Sequence, residues 1–365
     1  GKTTLIRAII TAAEQNGLEP ALMAPTGRAA KRLAISSGRD ADTIHKALEA
    51  SVRETGRTYF EKNEANPLGE DLIIVDEASM LDISLFYHLL CALKDGARLI
   101  LVGDIDQLPP VGAGEPLKDL MSWGYVPIVR LKRIFRQEEG SGIVENAALI
   151  RKGEMCVPDE AGEFRIIYAA DDEDAYRIVM DLCRELNYGN EENKMLLQVL
   201  SPMYRGVCGV DHLNESLQEM IHGEKVPDGM KFFPGDKVMQ TRNDYEKGIY
   251  NGDVGTVWTA TPQKVFVRYF DKEVVYEGEE RFDLRLAYAV TVHKSQGSEY
   301  ETVIFILRPS QHNMLQRNLL YTGVTRARKN TILVTAPDAL RRALAIQHTG
   351  NRYSLFLPFL NHEAL

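Results

Sequence analysis

The chain begins with Gly1-Lys2-Thr3-Thr4, and this stretch constrains the fold more than any other part of the sequence. Apolar residues follow it at the spacing of an amphipathic helix. A Gly-Lys-[Ser/Thr] run that enters a helix is the second half of a Walker A loop, whose backbone N–H groups surround phosphates while the lysine contacts the β- and γ-phosphates and the hydroxyl binds Mg²⁺. The sequence therefore predicts a nucleotide-binding α/β domain in which Gly1 to Thr4 line the phosphate loop, Lys2 binds phosphate and Thr3 binds Mg²⁺.

The complete motif, G-x-x-x-x-G-K-[ST], contains an earlier glycine that would precede Gly1. We therefore expect this sequence to be a fragment of a longer protein. A Gly-Lys-Thr tripeptide also arises by chance, so the assignment depends on the motifs that follow.

Length and composition indicate the general class of the protein. A chain of 365 residues is long enough for two or three domains, and 44% hydrophobic with 26% charged residues is typical of a globular protein. A net charge of −9 argues against a broadly basic surface, although a basic groove on an acidic body can still bind nucleic acid. The four cysteines are scattered without a C-x-x-C pair, so neither zinc nor disulfides are expected. No membrane span or signal peptide is visible, and a cytoplasmic location is expected.

The apolar pattern predicts two α/β lobes with parallel sheets, residues 1–135 and 136–365. In the first lobe, residues 51–69 are polar and interrupt the pattern, as a hairpin or a small insertion would. In the second lobe, residues of about 230–285 change to short β segments around the tight-turn signal Asn251-Gly252-Asp253. We interpret this segment as an inserted small β-barrel. The strands predicted in the α/β parts are Ala21–Ala24, Leu72–Val75, Arg98–Val102, Met195–Leu200, Thr302–Leu307 and Thr331–Thr335.

Two buried strands end in polar residues that suit nucleotide chemistry. The first runs into Asp76-Glu77, a Walker B pattern that places Asp76 at the carboxyl edge of the sheet, where it can hold Mg²⁺ through water. Glu77 is then suited to polarise the attacking water. The second strand leads to Gln107, which can sense the γ-phosphate. The alternative interpretations are a solvated acidic turn for the first and an ordinary polar turn for the second.

Taken in order, these stretches resemble the motifs of superfamily 1 helicases. The wording Asp-Glu-Ala-Ser and Thr-x-His-Lys-Ser-Gln-Gly is most similar to the RecD-like branch, which includes the exonuclease V alpha subunit. The resemblance extends over nearly the whole chain and implies two RecA-like P-loop NTPase lobes, the second carrying an SH3-like barrel. The matching stretches are Gly1-Lys2-Thr3, Ala24 to Arg28, Asp76 to Ser79, Gly103 to Gln107, Ile134 to Gln137, Tyr288 to Glu299 and Tyr321 to Ala327.

The resemblance also assigns roles to residues of the second lobe. Arg136 and Arg326 become arginine-finger candidates, because guanidinium groups brought onto the γ-phosphate neutralise developing charge. Glu299 matches the position that contacts the nucleotide ribose, and Gly297 allows close approach of the backbone. For a single arginine the simpler alternative is a surface ion pair, which is how we interpret Arg328 and Arg133.

For DNA, the resemblance places a single strand across both lobes. Contacts to sugar and phosphate are expected, which carry no sequence information. A histidine in such a motif can equally be a satisfied core residue. The predicted DNA-binding residues are Pro25, Thr26, Gly27, Arg28, Thr43, His45, Thr291, His293 and Lys294.

These observations predict an ATP- and Mg²⁺-dependent DNA helicase or translocase that acts on single-stranded DNA and duplex junctions, with 5′→3′ movement implied by the resemblance. It is expected to function in recombination or repair, with nuclease or helicase subunits as partners. One alternative is a DNA-stimulated motor subunit, of a nuclease or a conjugative relaxase complex, that does not unwind by itself. The other is a DNA-binding module without turnover. The apolar segment Leu355–Leu360 is expected to dock on the second lobe or to meet a partner.

Overall fold

The computed structural model describes residues 2–52, 58–131, 141–227, 229–244, 246–270, 272–347 and 356–361, without the side chains of Thr3 and Val52. The chain forms two compact units. Unit 1 comprises Gly1–Phe135 with Gly350–Leu365, and unit 2 comprises Arg136–Thr349.

Unit 1 is built around a parallel sheet with the strand order β2-β1-β5-β6. Its helices and strands, in chain order, are α1 (Lys2–Gln15), β1 (Pro20–Ala24), α2 (Gly27–Ser37), β2 (Asp42–Thr43), α3 (Ile44–Ala47), β3 (Ala50–Val52), β4 (Thr58–Phe60), β5 (Leu72–Val75), α4 (Ile83–Cys91), β6 (Arg98–Leu101) and α5 (Pro116–Trp123).

The central strand β5 is buried on both faces, which explains its continuous apolar sequence. Side chains alternate across a strand, so Leu72 and Ile74 pack in one core with residues of α1 and α2, and Ile73 and Val75 pack in another with residues of α4. Strands β3 and β4 form a separate antiparallel hairpin, with Ser51 opposite Tyr59. A hairpin is one of the two structures that the sequence predicts for residues 51–69.

Unit 2 has a parallel sheet of the order β14-β8-β15-β16-β7 and a second, antiparallel sheet of the order β12-β11-β10-β9-β13. Its elements are α6 (Gly142–Lys152), β7 (Phe164–Tyr168), α7 (Asp172–Glu185), α8 (Glu191–Leu196), β8 (Leu197–Ser201), α9 (Val210–His222), β9 (Lys237–Gln240), β10 (Val254–Ala260), β11 (Lys264–Arg268), β12 (Glu273–Glu277), β13 (Leu284–Leu286), β14 (Ala289–Thr291), β15 (Tyr300–Leu307), α10 (Arg317–Val324), β16 (Ala327–Thr335) and α11 (Pro337–Ala345).

The antiparallel sheet, here called the β insert (residues 237–286), has its own core, to which Val257, Val265 and Val267 contribute. It is joined to strand β8 by buried polar contacts. The amine of Lys237, at the start of β9, donates to the backbone oxygen of Leu197 and to Oε1 of Gln198, both at 3.0 Å. The Gln198 amide in turn donates to the backbone oxygen of Tyr288 at 2.8 Å. The predicted class, two parallel α/β lobes with a small β domain in the second, is confirmed.

Two sequence predictions are wrong in detail. Met195–Leu200 is not one strand, because Asn190 caps a helix that continues to Leu196 by accepting from the Glu192 N–H at 2.8 Å, and β8 begins only at Leu197. For the apolar C-terminal segment, the first of the two alternatives, docking on the second lobe, is wrong for the residues that the structure describes. Its described part, α12 (Phe356–Leu360), packs in unit 1, where the ring of Phe356 lies edge-on to Phe86 with centroids 5.9 Å apart.

Among the helices that the structure describes, none is both long enough and apolar enough to cross a membrane.

Candidate active site

Strand β5 delivers Asp76 to the carboxyl edge of the unit 1 sheet. The N–H of Asp76 donates to the backbone oxygen of Met23 on β1 at 2.9 Å, and the N–H of Val102 donates to that of Val75 at 2.8 Å. These backbone hydrogen bonds hold the end of β5 between β1 and the residue that follows β6. The end is rigid because it lies in the middle of a parallel sheet.

Two carboxylates follow each other at this strand end, Asp76 half-buried and Glu77 buried. The Asp76 carboxylate accepts from the N–H of Glu77 at 2.9 Å. Burial raises the pKa of Asp76, and the neighbouring Glu77 carboxylate raises it further, while the charges of Lys2 and Arg32 act in the opposite direction. The predicted phosphate lysine and the predicted Walker B pair are thus brought together within unit 1.

The backbone of Glu77 adopts a left-handed conformation, with φ of 52°, although it is not a glycine. Such a conformation costs on the order of 1 kcal/mol or more and persists only where the surroundings impose it. Here the flanking N–H of Ala78 donates to the backbone oxygen of Val102 at 2.8 Å. Glu77 is also 5% exposed. A strained, buried carboxylate at a strand end is the kind of feature that catalytic sites retain.

The loop after β6 lies directly against this turn. A Cβ on Gly103 would be 2.6 Å from Cδ2 of Leu117 and 2.9 Å from the backbone nitrogen of Ser79, so only glycine allows this approach. Further along, Gln107 is 8% exposed, and its amide donates to the carboxylate of Asp104 at 3.3 Å. Gln107 is therefore held in a fixed loop whose start touches the Asp76-Glu77 turn.

The predicted DNA contacts of unit 1 lie at two helix starts. Thr26 caps α2 by accepting from the N–H of Ala29 at 3.3 Å, so the helix begins at Gly27, as expected from the Pro25-Thr26-Gly27-Arg28 stretch. Arg28 occupies the second position of this helix. The N–H groups of a first helical turn favour anions.

Thr43 and His45 flank the start of α3. Thr43 is 6% exposed, and its hydroxyl accepts from the N–H of Lys46 at 3.1 Å. The ring of His45 packs 5.9 Å from that of Phe60 on the hairpin strand β4, and burial lowers the pKa of His45 while Asp82 opposes this effect. Both side chains therefore have structural partners in addition to any contact with DNA.

We expect Thr43→Val to lower the free energy of unfolding by about 1 kcal/mol, because valine keeps the shape of threonine but removes the cap of α3. Thr43→Ser, which retains the hydroxyl, is expected to restore most of the stability. Chemical denaturation of the three proteins measures the difference. A valine variant as stable as the wild type would show that this cap contributes nothing.

In unit 2, the predicted DNA contacts follow strand β14. The hydroxyl of Thr291 accepts from the N–H of Lys294 at 3.2 Å, which closes a tight turn. Burial lowers the pKa of His293. Burial also lowers the pKa of Lys294, and the nearby Arg285 adds to this effect. The amine of Lys294 donates to Oδ1 of Asn251 in the β insert at 2.7 Å.

The predicted nucleotide contacts of unit 2 lie just beyond this turn. Gly297 has φ of 73°, and the carboxylate of Glu299 accepts from Nε of Arg328 at 2.9 Å. Arg326 is 1% exposed, and its guanidinium donates to the backbone oxygens of Thr322 at 3.1 Å and Ser298 at 3.0 Å. Arg326 thus links α10 to the loop that carries Gly297 and Glu299. The ion pair of Arg328 agrees with its interpretation as a surface partner.

Some predicted residues cannot be placed. Gly1 and Arg136 lie outside the described residues, as does Arg133, and Thr3 is placed by its backbone alone. Thr4 is exposed in the first turn of α1. Sequence reasoning missed Arg32, whose charge opposes the rise in the pKa of Asp76. Its position four residues after Arg28 on the same helix was the available signal, because i and i+4 share a helix face.

Three family models match consecutive parts of the chain. An AAA domain model matches residues 1–165, an ATP-dependent RecD-like DNA helicase SH3 domain matches residues 213–269, and a UvrD-like helicase C-terminal domain matches residues 286–334. The SH3 match includes strands β9 to β11 of the β insert and agrees with the predicted barrel.

Curated relatives match over nearly the full chain. The chain is 38% identical to the ATP-dependent RecD2 DNA helicase of Deinococcus radiodurans, over 97% of this chain and 48% of that protein. It is 33% identical to the RecBCD enzyme subunit RecD of Mycolicibacterium smegmatis, over 97% of this chain and 70% of that protein. The chain therefore spans about half the length of the first relative and about two thirds of the second.

Among solved structures, the crystal structure of Pif1 helicase from Bacteroides in complex with ADP-AlF3 and ssDNA aligns with a TM-score of 0.57 and 21% identity, over 99% of this chain and 90% of that one. At this identity the likeness concerns the fold. The identity with RecD, over 70% of that protein, carries the family assignment. The chain belongs to the RecD-like family of superfamily 1 helicases.

Proposed function

We propose that this chain is the motor core of an ATP-dependent DNA helicase or translocase that moves along single-stranded DNA in recombination or repair. The observation that carries the proposal is the pair of adjacent carboxylates at the end of β5, Asp76 half-buried and Glu77 buried, with the charge of Lys2 near enough to oppose the raised pKa of Asp76. Membership of the RecD-like family supports the choice of DNA as the track.

In unit 1, each residue has a distinct task in ATP hydrolysis. Lys2 binds the phosphates together with the N–H groups of the first turn of α1. Glu77 orients and polarises the attacking water, and Gln107 responds to the γ-phosphate. Because hydrogen-bonded neighbours hold Glu77 in its strained conformation, little reorganisation is needed when ATP binds.

The carboxylates also fit a magnesium ion. Mg²⁺ prefers hard oxygen ligands. Burial raises the pKa of Asp76, and the adjacent Glu77 carboxylate raises it further; a divalent cation would stabilise both carboxylates in their charged form. Thr3 and Asp76 would hold the ion, which neutralises phosphate charge when bound.

Unit 2 supplies the remaining nucleotide contacts in this proposal. Arg326 and Arg136 act as arginine fingers on the γ-phosphate. Glu299 contacts the ribose, and Gly297 allows close approach of the backbone. The support for these roles is the match of the residues to helicase motifs. Release of Glu299 from Arg328 would accompany nucleotide binding, since the two side chains are paired at 2.9 Å.

DNA contacts come from both units. Those of unit 1 are Pro25, Thr26, Gly27, Arg28, Thr43 and His45, and those of unit 2 are Thr291, His293 and Lys294. They contact sugar and phosphate, so the motor binds single-stranded DNA independently of its base sequence. ATP-dependent changes in the two grips produce stepping, and we propose a 5′→3′ direction on the basis of the family resemblance.

A second candidate is a motor subunit that acts only within a larger complex. The relative from Mycolicibacterium smegmatis is named as a subunit of the RecBCD enzyme, which favours nuclease or helicase partner subunits for this chain as well. Duplex junctions are the expected substrate where unwinding occurs. A chain without turnover would be a DNA-binding module.

The test is steady-state ATP hydrolysis by the full-length protein, with and without single-stranded DNA. We expect DNA to raise the rate many-fold. We expect Lys2→Ala to abolish turnover, because the positive charge of this lysine binds the phosphates of ATP. Lys118→Ala is the matched control, since Lys118 is an exposed lysine of the same unit that pairs with Glu115. A rate of ATP hydrolysis that does not change with DNA would refute the proposal that the motor moves along DNA. Absence of turnover in the wild type would favour the binding module.

A further inference from the structure

The turn that contains Asn251 joins strands β9 and β10 of the β insert. The N–H of Asn251 donates to Oδ1 of Asn243 at 2.9 Å, and the N–H of Gly252 donates to the backbone oxygen of Gln240 at 2.8 Å. Gly252 has φ of 99°, which other residues rarely adopt. The backbone of this turn is therefore fixed on the β insert, while the side chain of Asn251 is exposed.

The Asn251 side chain reaches outside the β insert, to Lys294. Its Oδ1 accepts from the amine of Lys294 at 2.7 Å, across 43 residues of sequence. The length corresponds to a charge-assisted hydrogen bond. Lys294 lies in the turn after β14, beside His293, and its N–H donates to Thr291 at the end of that strand. These three residues are the proposed DNA contacts of unit 2.

The contact limits a side chain that is otherwise adaptable. A lysine amine sits on a flexible four-carbon stem and has three protons to donate. Asn251 occupies one of them and leaves two directed elsewhere. Burial and the nearby Arg285 lower the pKa of Lys294, so a neutral acceptor helps to keep the amine charged.

We propose that Asn251 is a positioning residue for DNA binding, whose amide oxygen holds the Lys294 ammonium where it meets a backbone phosphate of the single strand. The β insert thereby contributes to DNA affinity through one hydrogen bond to a motif of the parallel sheet. This inference rests on the proposed function, because it takes Lys294 to be a phosphate contact.

The experiment uses the full-length protein with Asn251→Ala, Lys294→Ala and the double variant. The concentration of single-stranded DNA that gives half-maximal ATP hydrolysis is measured for each, together with kcat at saturating DNA. We expect Asn251→Ala to raise the half-saturating concentration by about 3- to 10-fold, the range of a typical hydrogen bond, without changing kcat. Lys294→Ala should have a larger effect, and adding Asn251→Ala to it should change nothing further.

Salt dependence provides a readout that a purely structural role would not alter. Removing one phosphate contact should reduce the slope of log affinity against log salt by about 0.7 for a single strand, which we expect for Lys294→Ala. Asn251→Asp should also reduce the slope, because its carboxylate neutralises the ammonium, although aspartate is equally suited to the turn. Gln263→Ala, in the turn between β10 and β11, is the matched control and should behave as the wild type.

Asn251→Ser is the control for misfolding of Asn251→Ala, because serine is favourable in turns but is too short to reach Lys294. It should reproduce the effect of alanine at an unchanged unfolding midpoint. Unaltered DNA affinity in both variants, or a further loss in the Lys294→Ala background, would overturn the positioning role. If Lys294→Ala leaves affinity unchanged while DNA still stimulates ATP hydrolysis, this inference fails and the proposed function stands. If DNA neither binds nor stimulates, the proposed function fails with it.

Discussion

Replacing Glu77 with glutamine is expected to lower kcat for ATP hydrolysis by about 10²- to 10⁴-fold, the usual contribution of a residue that takes part in proton transfer. Glutamine keeps the size of the side chain and its capacity to hydrogen-bond, but it cannot accept a proton from water. The loss should appear in kcat, while the dissociation constant for ATP changes little, because the proposed function assigns phosphate binding to Lys2 and the N–H groups of α1. Single-turnover hydrolysis and nucleotide titration measure the two quantities separately.

The fold should tolerate this change. Glu77 has φ of 52°, and glutamine meets the same backbone cost as glutamate, so the unfolding midpoint should not fall. Removing the Glu77 charge should also lower the pKa of Asp76 toward its ordinary value. Glu61→Gln, on the exposed loop after the hairpin, is the control for removal of a surface carboxylate. Retention of more than about a tenth of the turnover would assign activation of water to another group.

The sequence predicted those parts of the fold whose cause is local. Strand β5 is predictable because four consecutive apolar residues followed by two carboxylates are typical of a buried parallel strand. The structure has the predicted bounds, Leu72–Val75. Strand β7 was not identified. It lies at the sheet edge, and only its first residue is fully buried, so its apolar signal is weak.

Contacts between residues far apart in the sequence could not be predicted from local sequence patterns. No local pattern relates Asn251 to Lys294 or Glu299 to Arg328, because each pair meets only after the strands between them have formed. The docking of α12 in unit 1 was missed for a similar reason. A short apolar segment indicates that it will be buried, but not where.

Arg326→Lys is expected to lower ATP turnover by about 10³-fold, the contribution of an arginine finger, even though the positive charge is kept. A lysine cannot present the planar fork that contacts two oxygens at once. The structure adds a second consequence, because the guanidinium of Arg326 is 1% exposed and donates to the backbone oxygens of Thr322 and Ser298. Losing one of these buried hydrogen bonds should reduce the free energy of unfolding of unit 2 by about 1–3 kcal/mol.

The two consequences can be separated by temperature. ATP hydrolysis is assayed well below the unfolding midpoint of the variant, so the protein stays folded and any loss of kcat is chemical in origin. Arg341→Lys is the matched control, because Arg341 is an exposed arginine of unit 2 that pairs with Asp338. If the folded Arg326→Lys protein hydrolyses ATP within about threefold of the wild type, far less than the loss of a finger, Arg326 serves only to join α10 to the loop of Ser298. The finger role would then fall to Arg136 alone.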